Sequence, residues 1–283
     1  MSERRVLGVL RVVVIVALLF LTLFPFYYMG LLSLRPLDRV LQDPGALWVP
    51  PSEVDPGSYG AVVSTGAGGQ GFLVFMRNSA IVALGTVLLT LVIAVPGAYA
   101  VSRLRFFGHR QVSALFLAVY LFPAILLAVP LFVFFTRVGL RGTLTGLLIV
   151  YVSQVVAVTI YLLRNYFDTV PVSIEEAATI DGATRLGVLW RISLPLAMPA
   201  ILANALFIFM IAWNEFLFAL LFLVEDRGRW TVSLGISQLA GSIEVPTTVL
   251  MAGSVIVTLP IVALFFASER LLTDGLTAGA EKG

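Results

Sequence analysis

The chain has no cysteine and a single histidine, His109. A disulfide framework, a thiolate metal site and a nucleophilic cysteine are thereby excluded, and one imidazole builds no metal cluster. Charge is also scarce: 12% of the residues are charged, and Lys282 is the only lysine among 18 basic residues. The net charge of +2 is spread thinly, with no basic stripe, so no nucleic-acid partner is indicated. A G-x-x-x-x-G-K-[ST] sequence is missing too, and with it the loop that cradles nucleotide phosphates. With no catalytic constellation either, the chain is read as a non-enzyme.

What remains is apolar: 59% of the residues are hydrophobic and the mean hydropathy is +1.02. A bilayer core of about 30 Å takes roughly 20 apolar residues per helix, and the uncharged runs meet that about six times. They predict helices over 7–33, 73–101, 112–136, 143–163, 200–224 and 248–268. The expected fold is therefore all-α and polytopic, with residues 1–283 forming one transmembrane domain. Arg4, Arg5 and Arg11 before the apolar run Val12–Phe24 look like a signal peptide. However, no A-x-A cleavage site follows and the apolar character continues to Leu34, so the run is read as an uncleaved first helix. An even number of spans puts both termini on one side, and Arg4, Arg5, Arg11, Arg103, Arg105 and Arg110 mark that side as cytoplasmic. The chain is placed in the plasma (inner) membrane, in contact with lipid. Outside, the Pro/Gly-rich stretch 36–72 reads as irregular loop, whereas 225–247 holds enough apolar residues to fold back.

One long polar insert interrupts the C-terminal half, from Glu175 to Pro199. Pro171 ends any preceding helix, and Ser173 with Glu176 three residues on fits a capping box that starts a new one. On that helix Ala177 and Asp181, and Ala178 and Gly182, are four apart, so small side chains share a face that another backbone can approach. Asp181-Gly182 turns the chain, and Thr184 caps a second short helix ending before Pro195. The plainer alternative is an interfacial amphipathic segment whose caps contribute about 1 kcal/mol.

The order and spacing of Glu176-Ala177-Ala178, Asp181-Gly182-Ala183 and Ile192-Ser193-Leu194-Pro195 closely resemble the EAA loop of ABC-importer permeases. Ala212-Trp213-Asn214-Glu215-Phe216 and the ending Gly275–Gly283 are similar to the carbohydrate, maltose-type branch, in particular to its smaller six-helix permease subunit. The resemblance implies that Glu175, Glu176, Ala177, Ala178, Asp181, Gly182 and Ala183 couple to an ATPase, with Glu176 facing an ATPase arginine. It implies tail contacts with the ATPase from Gly279, Ala280, Glu281, Lys282 and Gly283. The implied partners are a homologous second permease subunit, two ATPase subunits and an extracytoplasmic solute-binding protein, which the loop Glu225–Pro246 matches in position. ATP and Mg would then be bound by the partner ATPase, with no cofactor in this chain, and the cargo would be a di- or oligosaccharide. Competing readings are a permease for another solute, such as glycerol phosphate, polyamine or peptide, and an ATP-independent secondary transporter.

Glu215 is the only acidic side chain well inside an expected span, where a charge costs roughly 2.5–3.5 kcal/mol at the bilayer centre. It is read either as a pathway or gate residue beside Asn214, or as a hydrogen-bonding partner of a neighbouring helix. Gln154, with Ser153, Asn204 and Tyr151, admits the same two readings. Gly142 and Gly146 form a G-x-x-x-G pair read as ordinary close packing, and Pro123 and Pro130 predict kinks.

Overall fold

The computed structural model describes residues 3–64, 71–104 and 106–280. The expected tail residues Glu281, Lys282 and Gly283 lie outside the described residues, whereas Gly279 and Ala280 close the last helix. Among the described residues regular structure is helical throughout. In chain order the α-helices are α1 (Glu3–Ser33), α2 (Leu37–Gln42), α3 (Gly57–Val63), α4 (Phe72–Arg103), α5 (His109–Leu121), α6 (Ala124–Arg137) and α7 (Leu144–Phe167). They continue as α8 (Val172–Ile180), α9 (Arg185–Val188), α10 (Leu194–Leu196), α11 (Met198–Asn214), α12 (Leu217–Leu223), α13 (Val232–Ala240) and α14 (Thr247–Ala280).

Four of the expected spans are single helices long and apolar enough to cross a bilayer: Leu7–Ser33, Phe72–Arg103, Leu144–Phe167 and Thr247–Glu269. The other two are broken. Residues 112–136 do not form one kinked helix; α5 stops at Leu121, and Phe122 and Pro123 are extended before α6 begins. Pro130 stays inside α6. Residues 200–224 divide into α11 and α12 at Glu215, whose backbone is extended (φ −64°, ψ 128°).

The chain divides into two compact units, Met1–Leu73 with Gly235–Leu259, and Val74–Leu234 with Pro260–Gly283. In the first, the stretch read as irregular loop contains α2, a 3-10 turn at Pro51–Glu53, and α3. Pro36 and Pro56 sit at the helix N-caps, and the Asp55 carboxylate accepts the Gly57 N–H at 2.8 Å. These local devices start helices too short to leave a periodic pattern. Ser33 Oγ and the Tyr59 hydroxyl share a hydrogen bond of 2.8 Å, which ties α3 to the end of α1.

The second unit is organised around α7, whose apolar stretch is the most buried of the spans, at 61%. Leu147, Val150, Tyr151, Val155, Leu163 and Phe167 are buried at helical spacing. Ala94, Gly97 and Ala98 give α4 a small-residue face, and Leu163 and Phe167 close over it together with Ala197 and Ile201 of the α11 start. Residues 225–234 fold back as expected. Asn78 donates to the Gly228 and Trp230 carbonyls at 2.9 and 3.0 Å, Ser79 accepts the Val232 N–H at 2.9 Å, and Val232 and Leu234 are fully buried.

The two glycines of the G-x-x-x-G pair do not form a helix-packing face. Gly142 precedes α7 at φ +77°, and a Cβ on Gly146 would stand 2.3 Å from the Leu140 carbonyl oxygen. Because that neighbour is backbone, Gly146→Ala is expected to destabilise the protein by about 1–3 kcal/mol, read as a lower midpoint of thermal unfolding in detergent. An unchanged midpoint would mean that the Leu140 turn yields freely.

Candidate functional site

The polar insert is a cradle and a displayed turn. Pro171 occupies the N-cap position of α8, and no side chain caps that end. The expected capping box is thus not formed: the helix starts two residues early, at Val172, because proline's fixed φ already suits a helix entry. At the other end the Gly182 N–H reaches the Thr179 carbonyl at 3.1 Å, and the Ala183 N–H reaches the Ala178 carbonyl at 3.0 Å. With Gly182 at φ +87°, this pair of bonds is a Schellman motif. The spacing between Ala178 and Asp181-Gly182-Ala183 is therefore the spacing of a helix stop. Thr184 caps α9 as expected, accepting the Gly187 N–H at 3.2 Å.

The return segment departs from expectation. It does not end before Pro195 but runs through a π-turn, Leu189–Ser193, into α10, and then bends by 75° into α11. A π-turn widens the helix, which accommodates a proline that cannot donate an N–H, and here Ser193 is fully buried.

The two adjacent glutamates of α8 have opposite fates, because successive residues on a helix point about 100° apart. Glu175 is buried, 7% exposed, and Glu176 is exposed. Arg103 Nε donates to both Glu175 oxygens, at 3.1 and 3.0 Å, while its Nη2 donates to the Val170 carbonyl at 2.8 Å. The Ser193 hydroxyl donates to Glu175 Oε1 at 2.9 Å and the Tyr99 hydroxyl to Oε2 at 3.2 Å. Next to this node Ser102 donates to Asp168, and the Tyr166 hydroxyl reaches the Leu196 carbonyl at 3.1 Å. α8 is thus fixed to α4 and to the π-turn by hydrogen bonds.

What α8 and its turn display is small or apolar. Glu176, Ala177, Asp181 and Gly182 are exposed, Ala178 and Ala183 are half-buried, and Ile180 and Leu186 are 86% and 69% exposed. An open groove of about 1000 Å³ beside the node is lined by Tyr99, Arg103, Phe106, Glu176, Ile180 and Arg185 among others. A knob with a small-residue turn, apolar flanks and the two exposed carboxylates of Glu176 and Asp181 suits a protein partner rather than a reacting substrate. The sequence placed Arg103 only as a marker of topology and Ser193 only within the Ile192–Pro195 element, and it gave no sign of Tyr99 or of the exposed Ile180 and Leu186.

Among the described residues no hydrogen bond joins Asn214, Glu215 and Gln154 to one another. The Asn214 amide donates to the Met210 carbonyl of its own helix at 2.8 Å. Glu215 accepts the Tyr151 hydroxyl at 2.6 Å and the N–H groups of Phe218 and Ala219 at 2.9 and 3.2 Å, which is the interhelical alternative together with a helix cap. Gln154 lies one turn along α7 from Tyr151, with Nε2 buried and without a hydrogen-bond partner.

Comparison with known proteins agrees over most of the chain. The family described as binding-protein-dependent transport system inner membrane component matches residues 88–277. The inner membrane ABC transporter permease protein YcjP of Escherichia coli (strain K12) is 36% identical over 94% of this chain and 93% of its own length. The trehalose/maltose transport system permease protein MalG of Thermococcus litoralis is 35% identical over the whole of both chains. The trehalose transport system permease protein SugB of Mycobacterium tuberculosis is 34% identical over 92% of this chain and 93% of its own. Among solved structures, an inward-facing form of the MetNI methionine ABC transporter matches with a TM-score of 0.55 and 18% identity, covering 72% of this chain and 96% of that one. That last likeness speaks for the fold.

Proposed function

The chain belongs to the family of binding-protein-dependent transport system inner membrane components, and from that membership we propose that it is the permease subunit of an ABC importer for a sugar. The cargo is a di- or oligosaccharide, as the names of the trehalose and maltose relatives suggest. A homologous permease completes the pathway, two ATPase subunits bind ATP and Mg, and an extracytoplasmic binding protein delivers the sugar. Both termini and the 175–199 segment face the cytoplasm, a reading supported by the clustered arginines at 4–11 and 103–110.

The observation that carries the coupling assignment is the displayed turn from Glu176 to Ala183, closed by Gly182 and held to α4 through Glu175. Glu176, Ala177, Ala178, Asp181, Gly182 and Ala183 form the surface that enters the ATPase, while Glu175 holds that surface in place. Gly279 to Gly283 are the tail residues assigned to contact with the same partner, and Gln154 is the polar side chain available to the pathway. ATP closes the ATPase pair, the knob follows, and the membrane helices alternate between inward-facing and outward-facing states. Such a shift requires ATP to bind the two states with different affinity.

The test is co-expression with the neighbouring permease, ATPase and binding-protein genes, followed by uptake into vesicles. The expected result is copurifying ATPase and uptake that depends on both ATP and the binding protein. A panel of maltose, trehalose, cellobiose and diacetylchitobiose should raise the melting temperature of the binding protein for at least one member. Uptake without ATPase would restore the secondary transporter, and stabilisation by glycerol phosphate, polyamine or peptide alone would reassign the cargo.

A further inference from the structure

We propose that Arg103 and Glu175 are positioning residues of the transport cycle, whose buried ion pair clamps α8 to the end of α4 so that displacement of the ATPase-docking helix is delivered to a membrane-spanning helix. The inference rests on the importer reading above and assigns the joint through which it works.

Three observations carry it. First, α8 has almost no apolar attachment: of its nine residues only Glu175 is buried. A helix that short is not stable by itself, and both its chain connections are turns, so a push on its surface would otherwise be absorbed there. Second, that one buried side chain gathers bonds from two separate elements, Arg103 and Tyr99 on α4 and Ser193 on the π-turn. Both carboxylate oxygens are engaged, and Arg103 grips the Val170 carbonyl on the strand of chain entering α8. Directional bonds of this kind fix rotation as well as distance, which an apolar contact does not. Third, the side chains of Arg103 and Glu175 are 10% and 9% exposed. A buried ion pair is a poor way to gain stability, since apolar residues of similar volume serve as well or better. What it does supply is a single registration of α8 against α4, and Arg103 is the last residue of that span.

The test uses the assembled transporter, with the binding protein loaded with the panel disaccharide that stabilises it most. Arg103→Gln, Glu175→Gln and the double variant are compared for copurified ATPase and for the ratio of ATP hydrolysis with and without that loaded protein. Each single variant is expected to lower the ratio about tenfold, within the range typical of coupling between sites. The double variant, which leaves no uncompensated charge, should recover assembly while the ratio stays low. Recovery of both would reduce the pair to charge balance and overturn the proposal.

Because the chain has no cysteine, Arg103→Cys with Glu175→Cys can be bridged by a reducible cross-linker about the length of the lost pair. Bridging should restore the ratio and reduction should abolish it again. Indifference to the bridge, or failure of every variant to assemble, would also overturn the proposal. If the wild type shows no stimulated hydrolysis, the importer reading fails and takes this inference with it. A wild type that couples beside a double variant that couples equally well removes the clamp alone.

Discussion

Gly182→Val is expected to lower copurification of the ATPase with the permease at least tenfold while the membrane helices still assemble. Gly182 stands at φ +87°, and its N–H and that of Ala183 close the end of α8 onto Thr179 and Ala178. A residue with a Cβ in this left-handed region costs about 1–2 kcal/mol, and a β-branched one is the worst case. A Cβ at Gly182 would meet nothing within 4 Å, so no atom of the chain obstructs the new side chain. The strain is released instead by unwinding the last turn of α8, which displaces Ile180, Asp181 and Ala183 from the displayed surface. The buried side chains under the segment, Leu163, Phe167 and Ala197, do not touch the turn's open side and should keep the bundle folded. Gly182→Asn separates the two ways in which the substitution can act, because asparagine enters the left-handed region far more readily. If the turn conformation is what the ATPase needs, the Asn variant retains most of the copurification. If the ATPase backbone fills the empty space over Gly182, Asn is as damaging as Val. Full copurification and uptake with Val would remove the turn from the docking surface.

How much of this was legible in the sequence varied with the range of the interaction. Apolar runs located the spans, because the length of a helix in a bilayer is a matter of local composition. They did not show the breaks at Phe122-Pro123 and at Glu215, since the apolar run resumes directly after each and the whole stretch still averages as one span. The helix stop at Asp181-Gly182 was readable because a Schellman motif is made by residues within one turn of each other. The start of α8 was misread by two residues, Ser173 being a good cap in isolation and Pro171 a better entry in context. The division of labour between Glu175 and Glu176 could not be read at all from their neighbours, because the partner that separates them, Arg103, lies 72 residues earlier. Pro195 likewise signalled an ending that the π-turn before it cancels.

Glu215→Ala should give the largest loss of stability of any single change in the membrane interior. The carboxylate is the shared acceptor of three donors: the Tyr151 hydroxyl at 2.6 Å, the Phe218 N–H at 2.9 Å and the Ala219 N–H at 3.2 Å. Tyr151 is 1% exposed, and inside a bilayer no water replaces a lost partner. Each donor left unsatisfied costs about 1–3 kcal/mol, so the total is expected to be about 3–5 kcal/mol when partial relaxation of α12 is allowed for. Tyr151→Phe removes one donor together with its bond and should cost only about 1 kcal/mol. Glu215→Gln falls between them, because its single amide oxygen can serve the start of α12 while its NH₂ group donates to the Tyr151 oxygen, which leaves the hydroxyl proton without its acceptor. The double variant Tyr151→Phe with Glu215→Ala should lose less than the sum of the two, since one orphaned donor has been removed. Thermal unfolding in nanodiscs measures the order, which runs from wild type through Tyr151→Phe and Glu215→Gln to Glu215→Ala. A gate role divides the effects differently: Glu215→Gln would then keep its unfolding midpoint and lose uptake. If Glu215→Ala unfolds with the wild type, the carboxylate holds neither α7 nor the start of α12, and the break in the fifth span must be maintained by the Ser233 hydroxyl, which donates to the Glu215 backbone carbonyl.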